Sequence, residues 1–424
     1  MLINFSVGNY KSFKDTVTFS MVAANLTSKN KELDTTNIFN YKKSINLLKT
    51  AALYGANASG KSNFVKALVF MKNFIINSSK ESQATEDINV ESYKLSTTTD
   101  NKPSFFEIIF AIGDTRYRYG FELDRNKIHS EWLYRAKERE INLYERNNEE
   151  INPKNPFPEG KGLENKTRPN ALFLSVCAQW NGKISTEILK WFRNFGIISG
   201  LSDMGYRPYT IKQLEKPEEK SKILSFIRDF DFGISDLNVK HSNLTEDSIP
   251  KDLPEPLFKF LMDNGGIATT IFTTHKKFNE KNEHIGDEIF DLDVNESDGT
   301  QKAFSLSGPL LDVLRNGKTL IVDELDARLH PMITQAIVQM FHDKYLNQNN
   351  AQLIFVTHDT NLLDNRFIRR DQVWFMEKNK YGSTDLYSLV DFKVRNDASF
   401  EKDYISGKYG AIPFLGSIKR LGDQ

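Results

Sequence analysis

Apolar residues fall along this chain in three different rhythms, and each predicts a different element. Strict or near alternation marks half-buried strands. It is seen in Leu2–Val7 and Val17–Val22, which read as a short antiparallel pair. It returns in Phe105–Ile112, Thr115–Leu123 and Ile128–Tyr134, a predicted meander, and is clearest at Tyr117, Tyr119, Phe121 and Leu123. Unbroken apolar runs mark fully buried strands. Three stand out: Ala51–Tyr54, Thr319–Val322 and Leu353–Val356. Helical spacing places Phe64, Leu68, Met71 and Ile75 on one face, and further helices are predicted over Ile184–Phe195 and Lys220–Phe230.

Between these elements the chain turns polar. Residues 26–46 and 77–103 are read as irregular. Pro153, Pro156, Pro158 and Pro169 stand among Asn, Gly and Glu and mark a linker or surface loop. After residue 296 an αβ pattern resumes and closes with strands over Val373–Glu377 and Thr384–Leu389. The expected division is 1–145, 146–295 and 296–424, with the middle segment an insert of partly helical character. It carries no sustained heptads, so a long coiled coil is not expected.

The junction between the run Ala51–Tyr54 and the first helix carries the strongest chemical signal. It reads Gly55-Ala56-Asn57-Ala58-Ser59-Gly60-Lys61-Ser62, the pattern G-x-x-x-x-G-K-[ST] between a strand and a helix. Glycines let the backbone curl so that its N–H groups face phosphate oxygens, and the helix N-terminus adds partial positive charge. Lys61 would reach the β and γ phosphates, and Ser62 would ligate Mg²⁺.

About 260 residues later the second apolar run ends in Asp323-Glu324. An aspartate there can hold Mg²⁺ through water, and the next glutamate sits where an attacking water must be. The third run ends in His358, about 34 residues further on, placed to sense a γ-phosphate. Ser297-Asp298-Gly299-Thr300 opens a predicted helix about 26 residues before Asp323. Ser297 is also a natural N-cap. His330, before Pro331, fits a helix cap as well as a site role. His129, His241, His275, His284 and His342 show no ligand spacing.

In this order and spacing the chain resembles the ATP-binding-cassette class, in its SMC-like and RecF-like branch. More narrowly it resembles the AAA-type ATPases of abortive infection and anti-phage defence. The matching phrases are Asn9-Tyr10-Lys11-Ser12-Phe13, Leu53-Tyr54-Gly55-Ala56-Asn57 and Glu296-Ser297-Asp298-Gly299-Thr300-Gln301. Val322-Asp323-Glu324-Leu325-Asp326, Leu329-His330-Pro331, Val356-Thr357-His358-Asp359 and Gly407–Pro413 complete them. The resemblance spans both ends of the chain and is weak between about residues 145 and 270. It departs from transporter cassettes where Ser297-Asp298-Gly299-Thr300 replaces Leu-Ser-Gly-Gly.

The resemblance implies an α/β fold: an ABC-type P-loop ATPase with an antiparallel β lobe and a mainly helical insert. It implies ATP as substrate, Mg²⁺ held by Ser62 and Asp323, and catalysis by Glu324 and His358. Ser297 and Gly299 would close the site of a second subunit, in a homodimer or higher homo-oligomer. It further implies a separately encoded, nuclease-like effector as partner. The alternative from another class is an ATP-dependent nucleic-acid clamp of repair or recombination.

Composition bears on that choice. Lys plus Arg and Asp plus Glu both number 56, so no net charge draws the chain to nucleic acid, although binding to one is still possible locally. The lone Cys177 excludes internal disulfides and is read as a buried, inert thiol. No apolar run reaches membrane length, and the start lacks a secretory pattern, so a cytoplasmic protein is expected.

Overall fold

The computed structural model describes residues 1–42, 45–81, 83, 85–148, 150–243, 267–395 and 398–413. Residues 244–266, which fall within the segment 146–295, lie outside the described residues. Contacts divide the chain into two compact units. The first comprises 1–199, 313–326 and 334–424, and the second 200–312 and 327–333.

Strands are numbered along the chain. The first unit opens with β1 (Leu2–Gly8), β2 (Val17–Ser20), β3 (Ile38–Lys42), β4 (Ile45–Leu48) and β5 (Thr50–Tyr54). Then come β6 (Ser104–Ile112), β7 (Thr115–Leu123), β8 (Ile128–Ala136), β9 (Glu140–Asn147), β10 (Glu150–Pro153) and β11 (Gly196–Ser199). The second unit holds β12 (Ile234–Asn243), β13 (Ile267–Phe278) and β14 (His284–Asp291). The chain closes with β15 (Thr319–Asp323), β16 (Gln352–Val356), β17 (Val373–Lys378) and β18 (Thr384–Ser388).

The first unit contains two large sheets. One is a seven-stranded antiparallel sheet in the order β10-β9-β8-β7-β6-β1-β2. The other has six strands in the order β11-β15-β16-β5-β17-β18, parallel except for the last pair. β5 and β16 are buried at every position, as central parallel strands require. The helix Lys61–Asn77 leaves β5 and buries Phe64, Val65, Ala67, Leu68, Met71 and Ile75. Phe64 meets Phe5 and Phe19 edge-on, at 5.5 and 5.6 Å between ring centroids. Phe70 and Phe74 stack on each other and lean on Phe106 and Phe121 of the antiparallel sheet. The helix is therefore fixed by aromatic packing along its length.

Three features were not anticipated from the pattern. Residues 26–46, expected to be a loop, hold one helical turn, Leu33–Thr36, and β3, which pairs with β4. Among the described residues of this hairpin only Phe39, Leu47 and Leu48 are buried, too few to outweigh its polar residues in a sequence reading. β11 joins the six-stranded sheet by parallel pairing with β15. The second unit carries the three-stranded sheet β12-β13-β14 beside its helices Arg207–Leu214 and Pro217–Asp229. Segment 146–295 thus mixes helices with strands whose Thr, Lys and Asn residues hide the period of two. Cys177 is buried as expected, and burial pushes its thiol pKa upward.

Candidate functional site

At the end of β5 the backbone turns through the glycine loop into the helix Lys61–Asn77. Gly60, the residue before the helix, has φ +114° and faces the Thr384 side chain so closely that a Cβ would collide with it. Thr384 lies on β18 and donates from Oγ1 to the Ser59 carbonyl at 2.8 Å. The same Oγ1 lies 2.9 Å from Ser12 Oγ, which accepts from Asn63 Nδ2 at 2.9 Å. The loop is therefore braced from outside by a chain of polar contacts through Asn63, Ser12 and Thr384. Sequence reasoning did not single these three out. The quoted phrase around Ser12 was the only signal available for any of them.

Lys61 is buried, and its Nζ donates to the carbonyls of Gly55 (2.7 Å) and Ala56 (3.0 Å). Burial lowers its pKa to about 8, against the opposing pull of Asp323, Glu324 and Asp326. Those three carboxylates stand at and just beyond the end of β15, next to β16 in the parallel sheet. The Asp323 pKa is raised, mostly by burial and then by the Glu324 charge, while a hydrogen bond from Ser62 and the charge of Lys61 pull it down. Glu324 leaves the strand with φ +59°, in a left-handed conformation that costs a non-glycine residue roughly 1–3 kcal/mol.

His358 follows β16 and is exposed. Its backbone N–H donates to Asp326 Oδ2 at 3.4 Å. Desolvation and the Lys61 charge lower the His358 pKa, against Asp326 and Glu324. Lys61, Ser62, Asp323, Glu324 and His358 are thus brought together in one electrostatic cluster. Asp326 joins them and was not assigned a role from sequence. Four oxygens here are buried without any hydrogen-bond partner: Ser59 Oγ, Asp323 Oδ1, Asp326 Oδ1 and Asp359 Oδ2. Buried polar atoms are normally satisfied, and these four stand around one loop and two strand ends.

Mg²⁺ fits this donor set. It is bound through one or two protein oxygens, with waters and phosphates completing its shell. A hydroxyl at Ser62, hydrogen-bonded to the partly orphaned carboxylate of Asp323, supplies that minimum. Among the described residues no group of three or more His, Cys, Asp and Glu could form an all-protein metal cage.

Ser297 and Gly299 belong to the second unit. Ser297 Oγ accepts from the Thr300 N–H at 3.2 Å, so it caps the helix Asp298–Asn316. Gly299 packs against its own unit: a Cβ there would stand 2.8 Å from the Arg328 carbonyl oxygen. Glu296, just before the cap, accepts from Thr273 Oγ1 (2.6 Å) and His275 Nε2 (2.7 Å). His330 Nδ1 accepts from the Met332 N–H at 3.2 Å, a helix-start contact. His342 is buried and bonded to Thr50 Oγ1 at 2.8 Å, where desolvation lowers its pKa to about 3.

A family model described as "AAA domain, putative AbiEii toxin, Type IV TA system" matches residues 51–364. Three solved structures align with this chain over most of their length. The SMC head domain from Thermotoga maritima is 12% identical, with a TM-score of 0.41 over 91% of this chain and 98% of that one. The recombination mediator protein RecF with ATPrS is 13% identical, with a TM-score of 0.35 over 91% and 98%. The Smc head domain with a coiled coil and joint from Pyrococcus yayanosii is 9% identical, with a TM-score of 0.36 over 96% and 99%. No curated protein matches the sequence. No described helix is long and apolar enough to cross a membrane.

Proposed function

The chain belongs to this AAA-domain family, and on that premise we propose that it is a Mg²⁺-dependent ATPase that pairs around ATP and controls an effector. The observation that carries the reading is the cluster of buried, unpartnered oxygens of Ser59, Asp323, Asp326 and Asp359 around a glycine loop at a helix N-terminus. A polyphosphate and its hydrated cation would satisfy those groups together.

In this reading the amides of residues 55–62 and Lys61 hold the phosphates. Ser62 and Asp323 would hold Mg²⁺, which when bound neutralises phosphate charge. Glu324 orients and deprotonates the attacking water. His358 donates a hydrogen bond to the γ-phosphate. Ser297 and Gly299 come from a second copy and close the site. Such chemistry is mostly positioning and charge stabilisation. The type IV toxin–antitoxin description of the family supports a partner in defence, which we place as a separately encoded effector, nuclease-like in character.

The test is Lys61→Ala. The variant loses charge-assisted hydrogen bonds worth about 1.5–3 kcal/mol each, so ATP affinity by calorimetry should fall roughly ten- to a hundredfold or more. Lys61 also ties the loop carbonyls, so a melting curve accompanies the titration. Equal affinity in variant and parent would overturn the assignment.

Thr384→Val tests the brace. It keeps the shape that faces Gly60 and removes the hydroxyl from the Ser59 carbonyl. Loss of one such bond is worth about 0.5–1.5 kcal/mol, so ATP should bind roughly two- to tenfold more weakly. A change in kcat with unchanged ATP affinity would show that the brace acts elsewhere.

A further inference from the structure

Thr273 and His275 are alternate residues of β13, so their side chains leave the strand on one face. Both meet a single oxygen of the second unit, Glu296 Oε1, at 2.6 and 2.7 Å. An ionised carboxylate only accepts, so Thr273 Oγ1 and His275 Nε2 are the donors. The His275 ring rests against Phe290 of β14, 4.9 Å away between centroids. β13 is the middle strand of its sheet and is paired on both sides. Thr273 is fully buried, and the Glu296 side chain is only 10% exposed.

Glu296 is the residue before Ser297, yet the helix cap does not use its side chain. Ser297 supplies the cap by accepting from the Thr300 N–H. The main-chain carbonyl of Glu296 accepts from Gln301 Nε2 at 3.1 Å, in the first turn of the helix Asp298–Asn316. Glu296 itself is extended, with φ −92° and ψ 154°. It is therefore held by the sheet at its side chain and by the helix at its backbone. Ser297 and Asp298, which follow it, are exposed. An exposed helix start is thus tied to a buried strand through one carboxylate, and the tie fixes where the first amides of the helix stand relative to β13.

We propose that Glu296 is a positioning residue: held by Thr273 and His275, it sets the helix start Ser297–Gly299 for its contact with the phosphate bound by a second copy. The inference rests on the reading of that helix start given under the proposed function. Donors that stabilise developing charge act because they are aligned beforehand. A misplacement of about 1 Å can cost on the order of a hundredfold in rate. The charge of Glu296 is not the useful part, since a carboxylate close to an anion opposes it. Its use here is as an acceptor that two donors of a rigid strand can grip.

The experiment is ATPase kinetics on the full chain, with calorimetry of a non-hydrolysed ATP analogue and a melting curve for each variant. Glu296→Ala should lower kcat roughly ten- to a hundredfold. Its affinity for the analogue should stay within about twofold of the parent, because the phosphate loop of its own chain is untouched. Glu296→Gln keeps an acceptor in place and should retain kcat to within about threefold. Thr273→Val keeps the buried shape and removes one donor, so kcat should fall roughly two- to tenfold, and no further when Glu296→Ala is already present. Mixing Glu296→Ala with Lys61→Ala, after subunit exchange, should raise the rate above that of either alone. Parental kcat in a folded Glu296→Ala overturns the proposal. So does an equal loss in Glu296→Gln, which would make charge the cause, or a failure of Lys61→Ala to complement Glu296→Ala where it complements Gly299→Arg. Should Glu296→Ala not fold, parental kcat in Thr273→Val overturns it instead. Gly299→Arg, run alongside, keeps the two failures apart. If that variant hydrolyses ATP as the parent does, the reading of the helix start fails; if it is inactive while Glu296→Ala is not, only the positioning role fails.

Discussion

Glu324→Gln is expected to bind ATP almost as the parent does and to hydrolyse it roughly 10²–10⁴-fold more slowly, the usual contribution of a positioned general base. The substitution changes one oxygen for an NH₂ and leaves the length of the side chain alone. It also leaves the backbone alone: Glu324 sits at φ +59°, and glutamine tolerates that conformation no better and no worse. Asp323 keeps its hydrogen bond from Ser62 and loses only the repulsion of a neighbouring charge. Binding and chemistry should therefore separate cleanly. With hydrolysis stalled, any assembly that ATP drives should accumulate. Phosphate release measures the first effect, and size-exclusion chromatography with and without ATP measures the second. Turnover at the parental rate would remove Glu324 from the water-positioning role.

What could be read from the sequence follows a physical divide. The glycine loop is legible because its demands are local: Gly60 at φ +114°, Lys61 next to it, and a buried strand and helix on either side. The apolar runs that become β15 and β16 are equally local, and their ends deliver Asp323, Glu324 and His358 to the loop. The brace on that loop is not local. Thr384 and Ser12 are 372 residues apart, each an ordinary hydroxyl in its own neighbourhood, and they meet only because β18 of the six-stranded sheet comes beside the turn between β1 and β2 of the antiparallel sheet. Asp326 is opaque for the same reason, since its contact is with the backbone of His358 across the sheet. β13 escaped notice because it reads Thr-Thr-Ile-Phe-Thr-Thr-His-Lys-Lys, with few apolar residues to set a period. Strands of this kind are held by ladder hydrogen bonds and one thin buried face, which alternation detects poorly.

The second large effect concerns Ser297 and Gly299. A helix N-terminus capped by Ser297 presents amides suited to an anion, and the proposed reading has it face the γ-phosphate held by another copy. Two-fold pairing then gives two composite sites at once. Gly299→Arg should abolish hydrolysis while ATP still binds. The loss should reach or exceed the roughly 10²–10³-fold that follows removal of one aligned donor, because a large cation also obstructs closure. The new side chain presses on the Arg328 carbonyl, 2.8 Å from where its Cβ must go, so a local shift within the second unit accompanies it. Retained ATP affinity shows that the shift stays local. Lys61→Ala fails at the opposite half of the same composite site. Mixing the two inactive variants should then restore hydrolysis, since each heterodimer contains one site with an intact loop and an intact helix start. The measurement is ATPase rate against mixing ratio, after subunit exchange has been verified by labelled protein. With free exchange, recovery should peak at equal amounts of the two, where heterodimers are most abundant. A Gly299→Arg variant that no longer binds ATP would count against the arrangement in trans, because in that arrangement the phosphate loop of its own chain is untouched. Absence of recovery at every ratio, with exchange proven, would mean that one chain contains its whole site or that both sites must fire together.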